Sequence, residues 1–364
     1  MRFRHVLALA GACVAAFASA VSGQGSVVFN GYASGSYSLN ANHPASGMNQ
    51  LRVFDFSDRQ LKLDLVELVV QRIVSKPGAF GFRVDADAGQ SMPRITAAAG
   101  LFRDENGKAG NFDLRQVFVS YIVPVGTGLR LDAGKFVTHI GLDVIDGVDG
   151  YNGNATRGFL FGFGEPYTHT GVKATYALSN TLNAMVQVCR GWDDVRDNNH
   201  ASSFGGQLAF TPSDSLTLAV NVMVGPERDG NTTDARTLLN VVGTWKASPS
   251  WTFGMDAVLG TDEDAGGPNS DGQWTGVAVN ARRRVTESFA VIVRGELFDD
   301  RRGDRTGAAQ TLGALTFTPE LTITRNLLLR ADLRIDHSTA NVFERGATEV
   351  TSQPTMLVSA VVHF

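Results

Sequence analysis

RQVFVSYIVPVGTGLRLDAGKFVTHIGLDVIDGVDGYNGNATRGFLFGFGEPYTHTGVKATYAL, residues 115–178, contains the unit from which the whole chain is built. Two alternating segments, Val117–Val123 and Leu129–Val137, flank the turn Val125-Gly126-Thr127-Gly128. A long Gly/Asp-rich stretch follows, and a third alternating segment begins near Tyr167. In the second segment Leu129, Leu131, Ala133 and Val137 share one face, and Arg130, Asp132 and Gly134 share the other. Side chains on a strand alternate with period two, so this is a two-faced strand, apolar on one side and charged on the other.

The same order of strand, short turn, strand and long loop runs to the C-terminus. Candidate strands are 27–39, 59–70, 79–89, 112–123, 129–138, 168–178, 182–192, 204–211, 216–225, 235–246, 251–261, 273–285, 289–299, 311–321, 327–337 and 355–364. Short turns fall at 75–78, 126–128, 179–181, 212–215, 248–250, 286–288 and 324–326, rich in Gly, Pro, Asn and Ser. Longer polar loops alternate with them at 40–58, 90–111, 139–165, 193–203, 226–234, 262–272, 300–309 and 338–354. Short periplasmic turns and longer extracellular loops are the asymmetry of outer-membrane barrels. The expected fold is all-β: a transmembrane, antiparallel, up-and-down β-barrel of about 16 strands, with 14 or 18 as the alternatives.

Aromatic residues sharpen this expectation. Tyr121, Tyr176, Phe210, Trp245, Trp251, Phe289, Phe317 and Phe364 lie close to a short turn or the terminus, each on its strand's apolar face. Aromatics at one depth on the lipid side form an interfacial girdle. In the last strand Val358, Ala360, Val362 and Phe364 share a face. Left as an edge it would expose apolar surface, and closure into a barrel removes the edge. A final strand ending in Phe also resembles the signal that outer-membrane proteins present to the barrel assembly machinery.

Residues 1–20 read as a cleaved signal peptide: Arg2 and Arg4, an apolar run from Val6 to Phe17, then Ala18-Ser19-Ala20. Its removal leaves 30 basic against 36 acidic residues, about −6, which argues against nucleic acid as a partner. Cys189 is then the one remaining cysteine, so no intrachain disulfide is expected. Residues 21–364 read as a single domain. No run of 18 apolar residues predicts a membrane helix, which leaves tilted strands of about 10 residues as the spanning element.

Segments 128–141 (GLRLDAGKFVTHIG), 156–182 (TRGFLFGFGEPYTHTGVKATYALSNTL), 191–194 (GWDD) and 204–227 (FGGQLAFTPSDSLTLAVNVMVGPE) resemble the OmpL-like β-barrel porin family. The resemblance is strongest over 115–230 and continues by pattern to the C-terminus. It implies an outer-membrane channel and supplies no catalytic residues.

The inward parity is charged on several strands: Arg83, Asp85 and Asp87; Arg130 and Asp132; Arg294 and Glu296; Arg330, Asp332, Arg334 and Asp336. An Arg facing lipid near the midplane would cost ~2–4 kcal/mol, so these rows are expected to line the pore. A barrel this wide leaves an aqueous channel. The longest connection, 139–165, is the third long loop. By analogy with general porins it is expected to fold inward as a constriction, carrying Asp143, Asp146, Asp149 and Glu165 with Arg157, and packing through Phe159, Phe161 and Phe163. Its acids opposite Arg130, Arg330 and Arg334 would create a transverse field, and charge reversal of Arg330 and Arg334 would favour cations.

Catalytic motifs are missing: there is no G-x-S-x-G or H-E-x-x-H, and the histidines lack ligand spacing. Asp262, Glu263, Asp264 and Asp271 are a candidate Ca²⁺ site, with a solvated acidic loop as the alternative. No cofactor or metal is expected. The expected function is a porin through which small hydrophilic solutes and ions diffuse passively. A substrate-selective channel or a loop-plugged adhesin or structural barrel is the alternative. The expected surroundings are outer-membrane lipid and lipopolysaccharide, with a homotrimer by analogy.

Overall fold

The computed structural model describes residues 26–364, so the expected signal peptide lies outside the described residues. Strands β1–β15 are Val28–Asn40, Leu61–Arg72, Phe80–Ala88, Phe112–Val123, Leu129–Val137, Thr168–Ala177, Leu182–Cys189, Ser203–Ser213, Leu216–Pro226, Ala235–Ser248, Trp251–Asp262, Gly272–Arg284, Phe289–Asp300, Gln310–Thr324 and Leu327–Ser338. A two-stranded hairpin follows, β16 (Phe343–Arg345) and β17 (Thr348–Val350), and β18 (Ser352–His363) ends the chain. All but the hairpin join one antiparallel sheet, in which β18 pairs with β1 and closes a 16-stranded barrel. Each expected strand is present. Their ends move by three residues at most.

Burial explains why the alternation folds this way. On β15, Leu329, Leu333 and Ile335 are 37%, 51% and 50% exposed, while Asp332 and Asp336 between them are 0% exposed. A water-soluble protein would hide the leucines, because exposed apolar surface costs about 25 cal/mol per Å². Here the leucines meet lipid and the charges are enclosed. All the girdle aromatics keep the outward parity, and Trp245 and Trp251 both stack on Phe253 at 5.7 Å. No helix among the described residues is long and apolar enough to cross a membrane. The strands do the crossing.

Three local features were not expected. Loop 89–111 contains helix α1 (Met92–Ala99), and loop 339–351 contains the β16–β17 hairpin. Between β3 and β4 the register slips, so that Asp85 faces Gln116 while Ala86 faces Leu114. The extra residue, Arg115, forms a bulge that turns both Arg115 and Gln116 into the interior.

Gly134 shows how the wall is bent. Its φ is +140°, and a Cβ there would overlap the Val117 carbonyl oxygen. Gly134→Val is therefore expected to cost about 1–3 kcal/mol, seen as a lower yield of the compact, heat-modifiable form on gels. Gly295→Val, where a Cβ meets open space, should fold like the parent. Equal yields would refute the strain at Gly134.

Candidate functional site: the lumen and its inward loop

The barrel's apolar core lies inside it. One cluster gathers Phe159 and Leu160 of loop 138–167 with Trp192, Met223, Leu238, Trp274, Phe298 and Leu312 from the inner wall. Around Leu160–Gly164 the loop forms a single π-helical turn. Phe163 packs on Phe298 at 6.3 Å, while Phe161 turns to Phe54 and Tyr167 at 5.7 and 5.0 Å. Trp274 Nε1 donates to the Gly164 carbonyl at 3.2 Å. Above it, Arg305 stands 4.9 Å over Trp274 and 5.1 Å over Trp192, and donates to the Phe163 carbonyl. Burial, then Arg236, lowers Arg305 to about 10.

Polar ties hold the rest of the loop. It leaves β5, and by Asn154, whose amide donates to Thr318 at 2.7 Å, it has reached β14. β14 lies on the far side of the closed sheet from β5, so the chain crosses the lumen. On the way the Leu142 amide donates to Asp256 at 2.7 Å and Arg294 pairs with Asp143 at 3.3 Å. The Val148 amide donates to Glu67 at 2.6 Å, and Asp149 pairs with Arg83 at 2.7 Å. Asp146 is the hub: Arg157 lies at 2.9 Å, Arg330 at 3.3 Å, and the Tyr32 hydroxyl donates at 3.3 Å. Burial raises the Asp146 carboxyl, but the Arg157 and Arg330 guanidiniums reverse the shift and hold it below the usual range.

β15 receives the loop's second half. Thr156 donates to Asp332 through its amide and its hydroxyl, both at 2.8 Å. Arg330 donates to the Asn152 carbonyl and Arg334 to the Arg157 carbonyl. Arg334 also meets Glu296 at 3.1 Å and Asp336 at 2.6 Å, and covers the Phe159 ring at 4.8 Å. The Phe159 amide donates to Glu296 at 2.5 Å. Arg52, from the first long loop, adds a second partner for Asp336 at 2.6 Å.

The two roots of the loop share one anchor on β10 and β11. Gly141 donates to Asn240 at 3.2 Å, and Asn240 donates to Asp256 at 2.7 Å and to Glu165 at 3.4 Å. Burial, then the Asp256 charge and a hydrogen bond to it, then Asp143, push the Glu165 carboxyl well above the usual range. Burial, then His169 and Lys173, lower the His139 imidazole at the first root to about 3.

The structure therefore brings Arg83, Arg294, Glu296, Arg330, Asp332 and Arg334 against the loop, and ties Asp336 to it through Arg334. Arg130 is not among them: it pairs with Asp132 at 2.9 Å, with its side chain 40% exposed. Asp85 pairs with Arg83 at 2.7 Å and Asp87 with Arg115 at 3.2 Å. Tyr32, Arg52, Glu67, Arg115, Asn240 and Asp256 belong to the site and were not singled out in the sequence. Glu67, Asn240 and Asp256 carried a signal, each a polar residue on the inward parity of an apolar strand. Arg52, on an irregular loop, carried none.

Other candidates have local roles. Asp262 pairs with Arg236, and Glu263 and Asp264 accept backbone amides of Ala235 and Asn269. Among the described residues no group of three or more His, Cys, Asp or Glu is placed to hold a metal ion. Cys189 is buried in the interior cluster, 3.9 Å from His169 Nδ1.

Between the loop and the inner faces of β10–β13 remains a cavity of about 530 Å³. Asn280, Arg282, Thr244 and Thr252 line its wall, and Leu142, Asp143 and Tyr151 line its loop side.

Solved structures with this architecture include outer-membrane proteins. An anion-selective porin from Comamonas acidovorans is 12% identical, with a TM-score of 0.64 over 93% of this chain and 99% of that one. OmpT of Vibrio cholerae, expressed in the outer membrane, is 12% identical with a TM-score of 0.62, covering 94% and 99%. OmpF of Salmonella typhi, in complex with daunomycin, is 10% identical with a TM-score of 0.60, covering 93% and 97%. At these identities the likeness is one of fold. No curated protein matches the chain. The family model described as "Putative beta-barrel porin-2, OmpL-like" matches residues 26–364, well beyond the segments that carry the resemblance. The chain belongs to this OmpL-like β-barrel porin-2 family and is a porin of the outer membrane.

Proposed function

We propose that this porin is a passive diffusion channel for small hydrophilic solutes and ions, with loop 139–165 as its constriction. The supporting observation is the course of that loop. It crosses from β5 to β14, tied to both walls, and leaves a cavity beside β10–β13. The charges that are not spent on loop contacts, Arg130 foremost, set the field that a passing ion meets. No covalent chemistry is involved.

A second reading, a barrel closed by its own loops, is favoured by the burial of Arg330, Asp332, Arg334 and Asp336. Single-channel recording in a planar bilayer separates the two. Stable conductance steps from folded, heat-modifiable protein are the expected result. Their absence would overturn diffusion and leave a scaffold.

The assembly is proposed to be a homotrimer, as in the trimer form solved for Vibrio cholerae OmpT. Lipid and lipopolysaccharide would surround it. Phe364, 74% exposed with its ring over Gly31, is the proposed handle for the barrel assembly machinery.

A further inference from the structure

The cavity beside β10–β13 has a floor with an unusual arrangement. Gly254 on β11 lies directly across from Thr244 on β10 and Asn280 on β12. Two residues nearer the short turn, Thr252 lies across from Lys246 on one side and Arg282 on the other. These neighbours point the same way on strands about 4.8 Å apart. They frame a patch of wall around Gly254, over which the Asn280 amide and Leu142 of the loop lie so closely that a Cβ would stand 2.5 Å from Asn280 Oδ1 and 2.8 Å from Leu142 Cδ2.

What marks this wall is unspent bonding capacity. Many inward polar groups around the loop are bonded to protein, with the His139 ring nitrogens and the Thr316 hydroxyl as buried exceptions. Among the described residues, the side chains of Thr244, Thr252 and Asn280 have no hydrogen-bond partner, and neither does the Tyr151 hydroxyl across the cavity. An amide and three hydroxyls offer both donors and acceptors, which suits a partner carrying several hydroxyls. The cation at this wall is Arg282, while Asp143 and Asp149 across the cavity are each paired, with Arg294 and Arg83. Arg282 is partnered by Glu320 through one nitrogen. A guanidinium with free N–H groups is suited to a carboxylate. The cavity's volume falls within the range of small-molecule sites.

We propose that this wall of the cavity is a binding subsite for a small hydroxylated carboxylate, a sugar acid, on the periplasmic side of the loop. The proposal rests on the passage reading, and names the solute class that would pause in the channel. Solute held here lies one step past the loop, among groups that replace its water.

Gluconate and glucose are the probes, read by calorimetric titration of the detergent-solubilised barrel and by block of single-channel current. Gluconate is expected to bind saturably, with glucose at least about tenfold weaker, the loss of one charged hydrogen bond. Asn280→Ala and Thr252→Val should each weaken gluconate by roughly three- to tenfold, and Gly254→Val, which displaces the Asn280 amide, should abolish it. Should Gly254→Val fail to fold, the other two variants decide. Equal binding of glucose and gluconate would overturn the carboxylate class. Absence of saturable binding, or binding that none of the variants changes, would overturn the site. Binding intact without any conductance would overturn passage and leave the site standing.

Discussion

Reversing both Arg330 and Arg334 to glutamate is expected to free the constriction loop, enlarging the unit conductance and destabilising the barrel. From sequence, the same reversal promised a shift toward cations and nothing more. The structure changes the expectation because neither arginine faces open water. Their side chains are 2% and 0% exposed, and both donate to loop carbonyls. Removing one partner of a buried pair costs about 3–5 kcal/mol, and reversal adds repulsion from Asp146, Glu296 and Asp336. Loss of heat resistance on gels and larger, noisier current steps are the expected readouts. Arg130→Glu supplies the contrast, since Arg130 is 40% exposed and its buried partner Asp132, on the same strand, keeps the Ser120 hydroxyl and Lys173 at 4.0 Å. A pair with one exposed partner is worth less than a fully buried one, so that variant should change ion preference with a smaller loss of stability than the double reversal. If the double reversal alters reversal potential alone, the two arginines only shape a field and the loop is held by other contacts.

The barrel was legible in the sequence because lipid imposes one rule on every strand. Apolar residues must face outward with period two, and that fixed β15 from Leu329 to Ile335 without reference to any contact. Turn chemistry then set the hairpin ends. The bulge at Arg115 was not legible, since inserting one residue between Asp85 and Ala86's partners leaves the alternation almost intact on either side. Helix α1 and the β16–β17 hairpin lie in loops, where no periodicity is imposed from outside.

The charged wall was readable as a parity, but its pairing was not. Sequence placed Asp146 on the loop and Arg330 on the wall, yet nothing in spacing says that 184 residues of chain separation close to 3.3 Å. The expected gap between loop acids and wall bases is in the structure a set of contacts. A field across open water requires separated charges, and here Arg130 is the member of the expected set that keeps its exposure. The aromatics of the loop illustrate the same limit. Phe159, Phe161 and Phe163 alternate like a strand, but around them the backbone winds into a π-helical turn, so Phe161 leaves the cluster that buries Phe159.

Glu165→Gln is expected to remove an alkaline weakening of the loop's seat. In the seated loop burial and Asp256 raise the Glu165 carboxyl, while in a released loop it returns toward 4.5. The seated form therefore holds its proton more tightly. The Glu165 contribution to seat stability is complete below pH 4.5 and is lost as pH rises from there through the raised value, by up to about tenfold in the release equilibrium per pH unit. Gln keeps the shape and cannot ionise. Three neighbouring loop groups titrate as well. Asp146, held below its usual value of 3.8, weakens the seat only in acid below that value. His139 is seated neutral, and its contribution is lost as pH falls from 6.5 toward about 3. Asp193 accepts the Tyr167 and Thr168 amides just past the second root and is raised by burial to about 6, so it too weakens the seat as pH rises from 3.8. The wild type minus Glu165→Gln difference cancels these terms and isolates Glu165 together with the Asp256 carboxyl that it is coupled to. Recording the frequency of current fluctuations at fixed voltage from pH 4 to 8 should give coincident traces at the acid end and a wild type that grows noisier as pH rises. Coincident traces across the whole range would mean that Glu165 is not the proton that holds the loop, and would return its role to Asp193 and the backbone ties at Gly141 and Leu142.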